Sequence, residues 1–149
     1  MEDAAAPGLI VLLTRLSKQV YRLADDSLLG IGLKEYMTLT MLGDGVPQQS
    51  LAESLHMDEN NLVLLLNSLE GAGLISRRRD PDDRRRHIVE LTPRGRKALE
   101  RAGRGMSSLE DRLLAALSPA DRAALKRLVV RVLERGGETV IQAEPARRS

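Results

Sequence analysis

Residues 74–91 hold two short segments, Leu74–Arg79 and His87–Leu91, on either side of the turn Asp80-Pro81-Asp82-Asp83. The second segment alternates, with Ile88 and Glu90 on one side and His87, Val89 and Leu91 on the other, the pattern of a half-buried strand. Proline fixes its own φ and the aspartates accept local backbone hydrogen bonds, so the intervening residues favour a turn. The simplest product is a two-stranded hairpin with six arginines: Arg77, Arg78 and Arg79 before the turn, Arg84, Arg85 and Arg86 after it. Such a ribbon suits two settings. It can be a solvated edge whose charge discourages aggregation. It can also face a nucleic acid, where guanidinium binds phosphate and favours the negative potential of a narrow minor groove.

What flanks the hairpin narrows the choice. Leu9, Leu12, Leu13, Leu16, Val20 and Leu23 recur at helical spacing and predict a first amphipathic helix over about 9–27. A second helix is expected over about 33–43, and a short third over about 48–55 with Leu51, Ala52 and Leu55 inward. His56-Met57 makes a turn, Asp58 can cap the fourth helix by accepting from Asn60 or Asn61, and Gly71-Ala72-Gly73 closes it near Glu70. A short helix, a tight turn and a longer helix make a helix-turn-helix, and the arginine hairpin follows directly as a wing. Thr92-Pro93 and Ser118-Pro119 then open two long helices, the first with a stripe from Leu99 to Leu117 that Gly103 and Gly105 loosen or bend. The fold class is mainly α with a small β-hairpin wing. The stripes of the first and last helices exceed what the small centre can cover, which predicts a symmetric dimer built from them.

Charge follows the same division. Residues 1–73 hold 4 basic and 10 acidic side chains, whereas residues 74–97 hold 9 basic and 4 acidic. Positive charge is thus focused on the wing and just after it, as a polyanion footprint requires. The absence of cysteine removes disulfides, thiolate chemistry and cysteine-based zinc sites. The acidic N-terminus lacks the basic region of a secretory signal and no apolar run reaches membrane-spanning length, so a cytoplasmic protein is expected.

The order of these parts resembles the MarR family of bacterial winged helix-turn-helix regulators over about residues 9–137. Asp80-Pro81-Asp82-Asp83-Arg84-Arg85 is similar to the family's D-P-x-D-R-R wing, and Leu91-Thr92-Pro93-Arg94-Gly95 to its L-T-x-x-G lead into the long helix. Leu69-Glu70-Gly71-Ala72-Gly73-Leu74-Ile75-Ser76-Arg77 resembles its L-E-x-x-G-L-[VI]-x-R close of the recognition helix, and Leu51-Ala52-Glu53-Ser54-Leu55 its L-A-x-x-L. The resemblance implies one MarR-like domain, with a DNA-binding lobe at 31–98, a helical dimerisation lobe from 9–30 and 99–137, and a flexible tail at 138–149. It implies a homodimer on a pseudo-palindromic double-stranded DNA operator, commonly a repressor released by a small aromatic or anionic effector bound between the lobes. Arg84 would enter the minor groove, Asp83 would pin the wing through an arginine, and Arg85 and Arg86 would meet phosphate or brace the wing. The remaining candidate DNA contacts are Gln48, Gln49, Ser50, Asn60, Asn61, Leu64 and Arg77.

The recognition helix departs from the family. Val63-Leu64 stand where members usually carry a Thr-Arg pair, and no residue from Met57 to Ser76 is basic. Five consecutive aliphatic residues, Leu62 to Leu66, cannot all face one core, so Val63 and Leu64 are expected to point outward. Three readings stay open. They pack on thymine methyls while Asn60 and Asn61 read adenine; affinity comes chiefly from wing and backbone contacts; or DNA binding has weakened and the fold binds or transforms a small molecule. Tyr21, Arg22 and Tyr36 are the candidate ligand-pocket residues, although in a chain without Phe or Trp the tyrosines equally suit the core. His56 and His87 lack metal-ligand spacing, Asp25, Asp26 and Glu35 offer only a loose acid pair, and no phosphate loop or nucleophile elbow occurs, so neither enzyme activity, metal nor cofactor is expected.

Overall fold

The computed structural model describes residues 5–136, so the tail expected at 138–149 lies outside the described residues. In chain order the elements are α1 (Leu9–Leu23), α2 (Asp26–Leu29), α3 (Leu33–Thr40), β1 (Val46–Pro47), α4 (Gln48–Ser54), α5 (Glu59–Gly71), β2 (Ile75–Arg79), β3 (His87–Leu91), α6 (Pro93–Leu113) and α7 (Pro119–Arg135). This is a winged helix-turn-helix between long terminal helices, and none of the described helices is long and apolar enough to cross a membrane.

Two boundaries differ from the periodicity for local reasons. The first helix ends at Leu23 rather than 27, because Asp25 turns to cap a separate short helix. Its carboxylate accepts from the Leu28 N–H at 2.9 Å and the Ser27 hydroxyl at 2.9 Å, and these bonds, Leu28 first, hold its pKa below the ordinary aspartate range. Asp25 is therefore a cap, not half of an acid pair. The helix expected over 33–43 stops at Thr40, and Leu42 continues into the core as a fully buried loop residue. The stripe of α6 likewise ends at Leu113, leaving Leu117 in the loop before α7.

The expected two-stranded hairpin is a three-stranded antiparallel sheet in the order β1-β3-β2. Val46 pairs with Val89 and Pro47 with Ile88. A two-residue strand containing proline leaves almost no period to read, and proline is tolerated there because β1 is an edge. The β2–β3 register runs from Ile75 opposite Leu91 to Arg79 opposite His87.

Two buried clusters organise the chain. One joins Leu39, Leu42, Leu51, Leu62, Leu66, Leu69, Ile75 and Val89 beneath the helix-turn-helix and sheet. The other joins Ala24, Leu29, Ala102 and Leu109, with Tyr36 and Met106 packed against it. Ile31 packs against both clusters. By contrast α1 and α7 bury no residue, leaving Ile10 75% and Val132 72% exposed.

Close backbone approaches explain two of the three glycines of α6, Gly95 and Gly105. The Thr92 hydroxyl donates to the Gly73 carbonyl at 2.6 Å and accepts from the Gly95 N–H at 3.0 Å, so one side chain caps α6 and anchors the end of α5. A methyl at Gly95 would drive into the Leu74 carbonyl oxygen. Gly105 is not a loosening point either, since α6 is continuous from Pro93 to Leu113. A Cβ there would sit 2.5 Å from the Leu28 carbonyl oxygen, while one at Gly103 would meet nothing within 4 Å. Gly103→Ala should therefore stabilise the protein by about 0.5–1 kcal/mol through helix propensity. Gly105→Ala should destabilise it by about 1–3 kcal/mol through overpacking against α2. Urea denaturation at one fixed protein concentration checks both signs.

Candidate nucleic-acid interface

The helix-turn-helix is set by its turn. After α4 the backbone enters the left-handed region at His56, with φ of 51°, and Asp58 opens α5. One Asp58 oxygen accepts the Asn61 backbone N–H at 2.8 Å and the other accepts the Asn61 side-chain amide at 2.9 Å. Leu62, Leu65, Leu66 and Leu69 face the core and fix the rotation of α5 about its axis. Val63 and Leu64 face outward, 37% and 66% exposed, as five successive aliphatic residues on one helix require.

The acidic residues of the wing shape its arginine tip. The Arg86 N–H donates to the Asp83 carbonyl at 2.9 Å, closing a β-turn with Arg84 and Arg85 at its central positions. The Asp83 carboxylate accepts from the Arg85 backbone N–H at 3.1 Å and its Nε at 3.2 Å, and lies 3.9 Å from Arg86 Nε. Asp80 accepts from the Asp82 N–H at 2.9 Å. These local bonds hold the turn open, so that Arg85 is 92% exposed along its side chain. Arg84 is exposed, with no hydrogen bond or ion pair to any described residue.

Lower on the wing two guanidinium groups, those of Arg77 and Arg78, are engaged, whereas Arg79 is exposed without a side-chain bond to any described residue. Arg78 Nε donates to Glu90 at 2.6 Å across the strands. Arg77, a candidate DNA contact from the sequence, is tied to α5. Its Nη2 donates to Asn67 at 2.6 Å and to Glu70 at 3.1 Å, and its Nε donates to Glu70 at 3.2 Å. Arg77 thus braces the wing root against α5. Sequence reading missed the tie because its partners lie on the other side of the Gly71–Gly73 closure; the only signal was an acid placed seven residues before an arginine.

The remaining candidates fall into separate places. Gln48, Gln49 and Ser50 form the first turn of α4, and Gln49 and Ser50 are exposed. Gln48, Gln49 and Val63 share with Arg85, Arg86 and His87 a surface cleft of about 330 Å³, so the start of α4, the outer face of α5 and the wing border one hollow. Asn60 is exposed without a side-chain bond to any described residue, whereas Asn61 is tied to Asp58. The ligand trio is not brought together. Tyr21 and Arg22 are exposed on α1, which overturns a core role for Tyr21, while Tyr36 packs on the second cluster. Burial first, and the Glu110 charge second, raise the pKa of Tyr36, so its hydroxyl remains protonated.

Comparison with known proteins points the same way. A family model described as "MarR family" matches residues 33–87. A Thauera aromatica protein described as a regulator for the hcr operon is 33% identical over 108 residues, covering 72% of this chain. The chain spans 65% of that relative's own length. A solved transcriptional repressor, CouR, bound to a 23-mer DNA duplex, is similar with 31% identity and a TM-score of 0.74, over 84% of this chain and 92% of that one. The PcaV transcriptional regulator from Streptomyces coelicolor, in complex with its natural ligand, is similar with 26% identity and a TM-score of 0.68, over 87% of this chain and 97% of that one.

The tie between Glu70 and Arg77 has a pH signature. The hydrogen bond from Arg77 lowers the Glu70 pKa below the ordinary glutamate range. A lowered folded-state value means that the tie's contribution is complete above the ordinary range and is lost as pH falls through the folded value. In Arg77→Met the Glu70 carboxyl should titrate at higher pH than in the parent protein, and amide exchange in β2 should quicken. Carboxyl-carbon NMR titration and hydrogen exchange measure the two effects.

Proposed function

Because the chain belongs to the MarR family of transcriptional regulators, we propose that it is a homodimeric repressor that binds a pseudo-palindromic DNA operator and is released by a small molecule. The observation that carries the reading is the wing tip. A turn pinned by two aspartates presents Arg84 with its charge uncommitted among the described residues, and its neighbours Arg85 and Arg86 border one hollow with Val63 on the outer face of α5. Arginine in that position suits a narrow minor groove while α5 lies in the adjacent major groove. Arg85 and Arg86 reach phosphate, and the first turn of α4 contacts the backbone through Gln48, Gln49 and Ser50.

Two copies follow from what one copy leaves bare. Helices α1 and α7 bury no residue of their own, yet carry Leu9, Ile10, Leu12, Leu13 and Leu16, and Leu128, Val129, Val132 and Leu133, as exposed apolar side chains. Exposed apolar stripes of this kind mark an interface, and an isologous pairing through them sets two wings and two recognition helices about one dyad. Residues 31–98 serve as the reading lobe and 9–30 with 99–137 as the pairing lobe. The duplex in the CouR structure and the ligand in the PcaV structure support the two binding roles. The effector is a small aromatic or anionic molecule seated between the lobes, where Tyr36 keeps a neutral hydroxyl.

Arg84→Ala should weaken binding to the gene's own upstream duplex by about tenfold or more. With two wings per dimer, it should reduce the slope of log affinity against log salt by about two. Arg78→Ala, whose charge is already matched by Glu90, should change both far less. Fluorescence anisotropy across a salt series reads both quantities.

A further inference from the structure

Asn60, Val63, Leu64 and Asn67 stand at i, i+3, i+4 and i+7 along α5 and so share one outward face. Its rotation is fixed by the buried leucines behind it, and turning the helix to hide Leu64 would expose that core. Between Met57 and Ser76 there is no cation, and the guanidinium at the root of the wing is held by Glu70 and Asn67. The commonest specific contact, arginine or lysine on the guanine edge, therefore has no donor on this helix. Asn61 is bound to Asp58 and the Asn67 oxygen accepts from Arg77, which leaves Asn60, in the first turn, as the one amide on α5 with both ends unengaged among the described residues.

In the major groove the only apolar group is the C5-methyl of thymine. An aliphatic pair brought to a duplex by a cationic wing has that partner and no other of matching chemistry. We infer that α5 reads its half-site chiefly through thymine methyl groups packed on Leu64 and Val63, with Asn60 on an adjacent adenine. This specificity rests on the DNA-binding reading above. The operator core is A·T-containing, which also narrows the minor groove for Arg84.

Deoxyuridine lacks only that methyl and keeps every hydrogen-bonding group, so it isolates the contact. The test uses full-length protein and tiled duplexes of the gene's own upstream region; the tightest binder is then remade with deoxyuridine for thymidine. Two methyls at about fourfold each predict roughly sixteenfold weaker binding per half-site. The ratio should hold at every salt concentration, because no counterion is released by a methyl contact. Leu64 is largely exposed, so Leu64→Ala leaves the core intact; it should bind the thymidine duplex more weakly and lose most of its sensitivity to deoxyuridine. Equal affinity of the parent protein for both duplexes would overturn the inference while leaving the regulator reading standing. An equal deoxyuridine penalty for the parent and Leu64→Ala would also overturn it, by placing the effect in the duplex rather than on the helix. Failure to bind any tiled duplex even at low salt would overturn both.

Discussion

The grip of Asn67 and Glu70 on Arg77 decides how the wing stands relative to the recognition helix. An ion pair at the surface adds little energy by itself. A guanidinium held on three hydrogen bonds adds geometry, because its planar fork fits its acceptors in a narrow range of orientations. At the root end of the same strands Thr92 ties Gly73 to the first turn of α6, and Gly95 lets α6 press against the Leu74 carbonyl. Recognition helix, wing and the start of α6 are thereby fastened together at the base of the wing.

Within that frame charge and apolar surface are assigned to different parts. The wing carries the cations, sorted by neighbouring acids into those tied on the strand, Arg77 and Arg78, those drawn to Asp83 in the turn, Arg85 and Arg86, and those left uncommitted among the described residues, Arg79 and, at the tip, Arg84. The recognition helix carries amides and aliphatic side chains with no cation. On the DNA-binding reading proposed above, affinity would come largely from the wing and discrimination from the helix. The terminal helices carry a third feature, apolar surface that their own chain leaves exposed. The second cluster, around Leu29, Ala102 and Leu109, lies along α2 and α6 between these roles, and Ile31 links it to the core beneath the helix-turn-helix.

Much of this was legible in the sequence. Caps at Asp58, Thr92 and Ser118, the closing glycine at Gly73 and the alternation of β3 all rest on local chemistry that acts within a few residues. The outward turn of Val63 and Leu64 followed from helical geometry alone. What stayed hidden depended on contacts across the fold. β1 is too short to show a period, and its partner β3 lies about forty residues away. Gly105 looked like a weak point until α2 was seen against it, and the tie of Arg77 to Glu70 spans the Gly71–Gly73 closure, where no local pattern shows it. Tyr21 is exposed although aromatic residues are scarce, because only the end of α1, at Val20 and Leu23, packs against the second cluster and Tyr21 is not among the residues packed there.

The central claim is that two wings, set about one dyad, lie on the duplex in its minor groove. The chain has no cysteine, so Asp82→Cys on the wing turn provides a single attachment point for an iron chelate without touching Arg84. Radical cleavage from that position on an end-labelled operator duplex is predicted to give two clusters of cuts, symmetric about the centre of the site and with the strand offset of minor-groove attack. A single cluster, or cuts spread evenly along the duplex, would contradict the account.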